Sequence, residues 1–74
     1  MNATHHRYEI RVSGRLGETI LSAFPDLRAE PERGQTVLIG SLPDRSALYG
    51  VVARLESLGL DLVDIRRLPP EPPG

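Results

Sequence analysis

The stretch from Asp44 to Leu68 constrains the fold of this chain more than any other. Asp44 can accept amide hydrogens at the start of a helix, and Gly59 stands where a left-handed residue commonly ends one. Leu60 to Leu68 then reads as an apolar strand. The stretch predicts a helix over residues 45–58 that needs a sheet to cover its apolar face. That face carries side chains at helical spacing: Leu48, Val51, Val52, Leu55 and Leu58.

The rest of the chain supplies the sheet. Apolar and polar residues alternate from Tyr8 to Ser13, which predicts a strand with one buried face. Pro31 lacks an amide hydrogen, so it belongs at a sheet edge or at the end of the strand that precedes it. The remaining predicted elements are a helix over residues 17–24, a strand over 27–30 and a strand over 36–40.

The predicted element order is β-α-β-β-α-β. Two right-handed βαβ halves close into an α+β, ferredoxin-like split β-α-β sandwich with both helices on one face. Its antiparallel sheet has the strand order 4-1-3-2. We expect one domain over residues 8–68, a flexible N-terminus over 1–7 and a proline-rich tail over 69–74.

Composition narrows the functional classes. The chain of 74 residues contains no cysteine, which removes thiolate metal sites and fits a reducing cytoplasm. Its net charge of −1 gives no general attraction to nucleic acid or anionic lipid. No stretch approaches the ~18 apolar residues of a membrane span, and the N-terminus has no secretory pattern. His5 and His6 lack a third ligand at useful spacing, so we expect neither a metal nor a cofactor.

Four segments resemble small single-domain proteins of actinobacteria: residues 8–12, 14–17, 42–52 and 58–60. The resemblance covers about residues 8–68 and carries the fold rather than an activity. The element order also resembles ACT-like regulatory modules and small dimeric α+β barrel proteins. The ACT-like modules and the α+β barrel proteins pair through their sheets and often bind small molecules, so these two resemblances imply both properties.

The turn between the first strand and the first helix is the candidate ligand site. Gly14, Arg15 and Gly17 lie there, and ACT-like modules bind ligands near the corresponding turn. Free amides at a helix start can hold an anion, and Arg15 adds a positive charge. A tight turn that needs glycine for its backbone explains the same residues, and Glu18 opposes an anion.

The sheet face away from the helices is the candidate interface. Alternation predicts that Val37, Ile39 and Val63 face the helices, together with Tyr8, Ile10, Val12 and Ile65. The open face then mixes leucines with charges of both signs, although scattered exposed leucines also occur on ordinary surfaces. The predicted interface residues are Arg11, Leu38, Leu62, Asp64 and Arg66.

These observations favour a non-catalytic interaction module that forms a homodimer through its sheet, in an accessory or regulatory role. The alternative is an ACT-like sensor of a small ligand at the Gly14–Gly17 turn. A small dimeric α+β barrel enzyme or cyclase ranks below both, because no acid, base or nucleophile cluster is visible. The open face has no aromatic residue for base stacking, which argues against RNA binding.

Overall fold

The computed structural model describes residues 6–69. Six elements follow one another in the predicted order: β1 His6–Ser13, α1 Glu18–Leu21, β2 Leu27–Glu32, β3 Gln35–Leu42, α2 Arg45–Ser57 and β4 Leu62–Leu68. His6 and Arg7 belong to β1, so the strand begins earlier than the sequence predicted. Residues 1–5 and 70–74, on which most of the expected N-terminus and tail fall, lie outside the described residues.

The four strands form one antiparallel sheet in the order β2-β3-β1-β4. Read from the opposite edge, this is the order 4-1-3-2. Strands β2 and β3 form a hairpin through Arg33 and Gly34, and Gly34 takes a φ of +65° that favours glycine. Pro31 lies in β2 at the sheet edge, where its missing N–H breaks no ladder.

Helix α2 forms as its sequence pattern predicts. The Asp44 carboxylate Oδ1 accepts the backbone N–H of Ala47 at 2.9 Å, and Gly59 takes a φ of +82° just beyond the helix. Leu48 and Leu55 are the buried residues of the helix, and Leu55 has no exposed surface. The helix therefore packs on the sheet through one apolar stripe.

Helix α1 is a single turn, shorter than the predicted 17–24. The Ser22 hydroxyl donates to the Thr19 carbonyl at 2.7 Å, which competes with further helical turns, and Pro25 disfavours helix just before it. Ile20 and Leu21 still pack on the same core as α2, so both helices cover one face of the sheet. The buried core cluster consists of Tyr8, Ile10, Val12, Phe24, Leu38, Leu42, Leu48 and Leu55.

The face assignment predicted for β3 is wrong. Leu38 pairs with Ile10 and is completely buried in the core, whereas Val37 and Ile39 lie on the face away from the helices. Gly40 accounts for this register, because it lies on the helix side where β2 enters the sheet. A Cβ at Gly40 would lie 2.7 Å from Leu27 Cδ2 and closer still to the Asp26 carbonyl.

The face assignment predicted for β4 is wrong at its start. A β-bulge next to Arg11 and Val12 inserts Val63, so Leu62 pairs with Val12 and packs against the core. Ile65 also faces the core, as predicted. Leu38 and Leu62 are therefore core residues, and neither can contact a partner across the open face.

Candidate functional site

The helix-free face of the sheet is the first candidate functional surface. Two neighbouring rows of side chains cross its four strands. The Arg11 row comprises Glu30, Val37, Arg11 and Asp64, in sheet order. The Glu9 row comprises Arg28, Ile39, Glu9 and Arg66, in the same order. We refer to the face that carries both rows as the open face.

The charges of the two rows alternate in sign along the strands. Three ion pairs join residues i and i+2: Arg28 and Glu30 at 3.3 Å on β2, Glu9 and Arg11 at 2.9 Å on β1, and Asp64 and Arg66 at 3.7 Å on β4. Charges also alternate between the adjacent strands β1 and β4, where Arg11 is level with Asp64 and Glu9 with Arg66. The two rows thus form a chequered pattern of six charges around β3, which carries none in these rows. Arg7 on β1 and Glu32 on β2 add further charges to the same face.

Arg11 is the centre of this pattern. Its guanidinium Nη1 donates to Glu32 Oε1 at 2.7 Å, so the side chain reaches over β3 to the edge strand β2. The pKa of Arg11 is raised, first by this hydrogen bond and then by the charges of Glu32 and Glu9, while desolvation acts in the opposite direction. Arg11 therefore keeps its positive charge at any pH at which the domain is handled.

Glu9 is the most buried carboxylate of this face. Its side chain is 13% exposed, and its Oε2 lies 2.9 Å from Arg11 Nη2. Arg11 is therefore the counter-charge that offsets the cost of removing the Glu9 carboxylate from water.

Val37 and Ile39 form the apolar middle of the open face. Val37 is only 2% exposed although no helix covers it, which shows that neighbouring side chains enclose it. Arg11, Asp64 and Arg66 lie on this face where the sequence placed them. The sequence assigned its apolar part to Leu38 and Leu62, and missed that Val37 and Ile39 supply it.

The β1–α1 turn is the second candidate site. Gly14 takes a φ of +84°; its N–H donates to the Gly34 carbonyl at 2.7 Å, and its carbonyl accepts the Thr36 hydroxyl at 2.8 Å. These bonds fix the turn against the β2–β3 hairpin. Gly17 is the N-cap residue of α1 and offers no side-chain cap. Because α1 has only one turn, the predicted anion site at a helix start has little helix behind it.

A cavity of about 270 Å³ lies beside this turn. Four of its lining residues are apolar, Thr36 is polar, and Arg15 adds a cationic end. Of the three predicted ligand residues, the structure places Arg15 at the cavity, while Gly14 and Gly17 do not line it. The lining could not be read from the sequence, because it comes from the β1–α1 turn and from three elements, α1, β2 and β3: Leu16, Leu21, Ala29, Pro31 and Thr36.

Other chemistry is sparse in the part of the chain that the structure describes. Between His6 and Pro69, no group of three or more His, Cys, Asp or Glu side chains comes together as a metal site. The His6 ring Nδ1 lies 2.8 Å from Arg67 Nη2, which gives this histidine a structural partner. No helix in the same range has the length and apolar character needed to cross a membrane.

The fold and the site define a class: a small α+β domain whose four-stranded antiparallel sheet is covered by two helices on one face only. The chain belongs to the family described as domain of unknown function (DUF8691), whose family model matches residues 7–66. That match includes every residue of the Arg11 row and the Glu9 row. Searches of curated proteins and of solved structures found no match.

Proposed function

We propose that this protein is a non-catalytic interaction module of ferredoxin-like type that forms a homodimer through its open face. The chequered charges of the Arg11 and Glu9 rows, with Val37 and Ile39 in their middle, carry this proposal. A second copy of the same face offers the matching set of charges. Ile39 is the apolar side chain of the middle strand that a second copy can reach, because Val37 is enclosed within its own chain. The role is accessory or regulatory, because the open face provides a binding surface and this function includes no catalysis.

The size of the domain supports association. Below ~70–80 residues a single core rarely supplies more than ~3–5 kcal/mol, so oligomerisation is a common way to gain stability. Four strands at ~4.8 Å spacing and ~3.3 Å per residue give the open face an area of roughly 500 Å². Two such faces bury roughly 1,000 Å² in total, at the lower end of specific interfaces. We therefore expect a dimer of modest affinity.

The test replaces the apolar middle of the open face. Ile39→Glu should leave a monomer, because it adds a carboxylate at the partly exposed apolar centre of the face, where dimerisation would bury it. Tyr49→Glu is the matched control, since Tyr49 is a 62% exposed residue of α2, on the helix side of the sheet. Light scattering after size exclusion, at several concentrations, reads the result. If both variants dimerise as the wild type does, the interface is elsewhere.

A sensor of a small ligand is the second candidate function, and the cavity beside the β1–α1 turn favours it. Its apolar walls and the single cation of Arg15 suit a small carboxylate with an apolar body. The ACT-like resemblance supports the same position. A site of this kind would bind and signal without catalysis.

The test of the cavity adds short aliphatic and aromatic carboxylates to the protein one at a time. Amide chemical shifts monitor each titration. Binding should shift the amides of Leu16 and Ala29, and Arg15→Gln should weaken it. Arg33→Gln is the matched control, because Arg33 is an exposed arginine of the hairpin turn that does not line the cavity. Equal affinity in the two variants would reject the site.

A further inference from the structure

We infer that the two copies meet with their two-fold axis running across the strands, between the Arg11 row and the Glu9 row. This inference rests on the proposed homodimer and specifies its register. When a surface packs face to face against a copy of itself, the two-fold axis lies in the plane of contact. In a sheet, the axis can run across the strands or along them, and the two choices bring different charges together.

An axis across the strands places each strand over its own copy and exchanges the two rows. Arg11 then faces the partner's Glu9, and Asp64 faces the partner's Arg66. At the β2 edge of the same face, Glu30 is brought over the partner's arginine at position 28. In the middle, Val37 is brought over the partner's Ile39. Every charge of the two rows meets its opposite.

An axis along the strands gives the contrary result. With β1 and β3 in the middle of the sheet, it places β4 over the partner's β2. Asp64 then meets the partner's Glu30, and Arg66 meets the partner's arginine at position 28. Arg11 loses a charged partner and meets Val37. Like charges across an interface oppose association, so the pattern selects the axis across the strands.

Arg11 has the donors that this register needs. Its guanidinium Nη1 donates to Glu32 Oε1, and its Nη2 lies 2.9 Å from Glu9 Oε2 of the same chain. A guanidinium has five N–H donors, so Arg11 can keep both contacts and still donate to the partner's Glu9 carboxylate.

The test is a charge-complementation experiment with two variants, Asp64→Arg and Arg66→Asp. Both residues are exposed, so each variant should fold, and circular dichroism verifies this. In the proposed register each variant places like charges opposite each other, so each homodimer should weaken about tenfold or more. Mixed together, the two variants should form a heterodimer, because arginines of one copy then face aspartates of the other.

Native mass spectrometry of a mixture with one isotope-labelled variant counts the heterodimer directly. Glu56→Arg is the control for a charge change on α2, away from the open face, and should dimerise as the wild type does. Monomeric single variants with an abundant heterodimer support the register. If the single variants dimerise normally, or stay monomeric when mixed, the register is wrong while the homodimer itself stands. A wild type that never dimerises rejects the proposed function instead.

Discussion

Gly40 and Leu27 lie directly opposite each other on β3 and β2, and a Cβ at Gly40 would come within 2.7 Å of Leu27 Cδ2. Such a separation is well inside van der Waals contact, so the strand that enters the sheet at Leu27 needs a glycine beneath it. This contact also fixes which face of β3 turns toward the helices. Leu38, two residues earlier on the same side, is consequently a core residue.

Gly40→Ala should destabilise the domain by about 1–3 kcal/mol, because the added methyl group overpacks the entry to β2. Gly50→Ala is the matched control. Gly50 lies exposed within α2 with nothing near its Cβ position, so alanine there should stabilise by up to about 1 kcal/mol. Urea titration of both variants measures the difference. Equal stabilities would show that the close approach at Gly40 is not a constraint.

Leu55→Ala should be among the most destabilising truncations in the chain. Leu55 is completely buried, and truncating a buried leucine typically lowers the free energy of unfolding by ~2–5 kcal/mol. Leu58→Ala makes the same change just beyond α2, where the side chain is 46% exposed, and should have a much smaller effect. Thermal and chemical unfolding compare the two. A loss below about 1 kcal/mol for Leu55→Ala would contradict the packing of α2.

Asp44→Ala should lower the free energy of unfolding by ~1 kcal/mol, because it removes the acceptor for the Ala47 amide at the start of α2. Asp44→Ser is the control, since a serine hydroxyl can accept the same hydrogen bond. Circular dichroism at moderate temperature gives a second measurement, in which Asp44→Ala should show less helix than Asp44→Ser. Indistinguishable alanine and serine variants would mean that the cap adds nothing to the stability of α2.

Most of the fold could be predicted because its signals are local. Helix α2 is predicted by the helical spacing of its apolar residues, by the capping residue Asp44 and by Gly59 beyond its end. Pro31 indicates the edge strand. The face of β3 could not be predicted by alternation, because Val37, Leu38 and Ile39 are all apolar. Contacts between separate strands distinguish the two faces: Leu38 pairs with the core residue Ile10 of β1, and Gly40 lies against the chain at Leu27.

The candidate site was predictable to a lesser extent. Arg11, Asp64 and Arg66 lie on the open face because each alternates with a core residue on its own strand. The bulge at Val63 has no marker in the sequence, so the face of Leu62 was missed. The cavity beside Arg15 is assembled from several elements, and its existence depends on how these pack.

Sedimentation velocity of the wild-type chain, from low to high micromolar concentration, tests the central claim most directly. A reversible rise from the monomer to the dimer sedimentation coefficient is the expected result. Added salt should weaken the dimer, because charged rows face each other in the interface and salt screens their attraction. A sedimentation coefficient that stays at the monomer value throughout, in low salt, would contradict the homodimer.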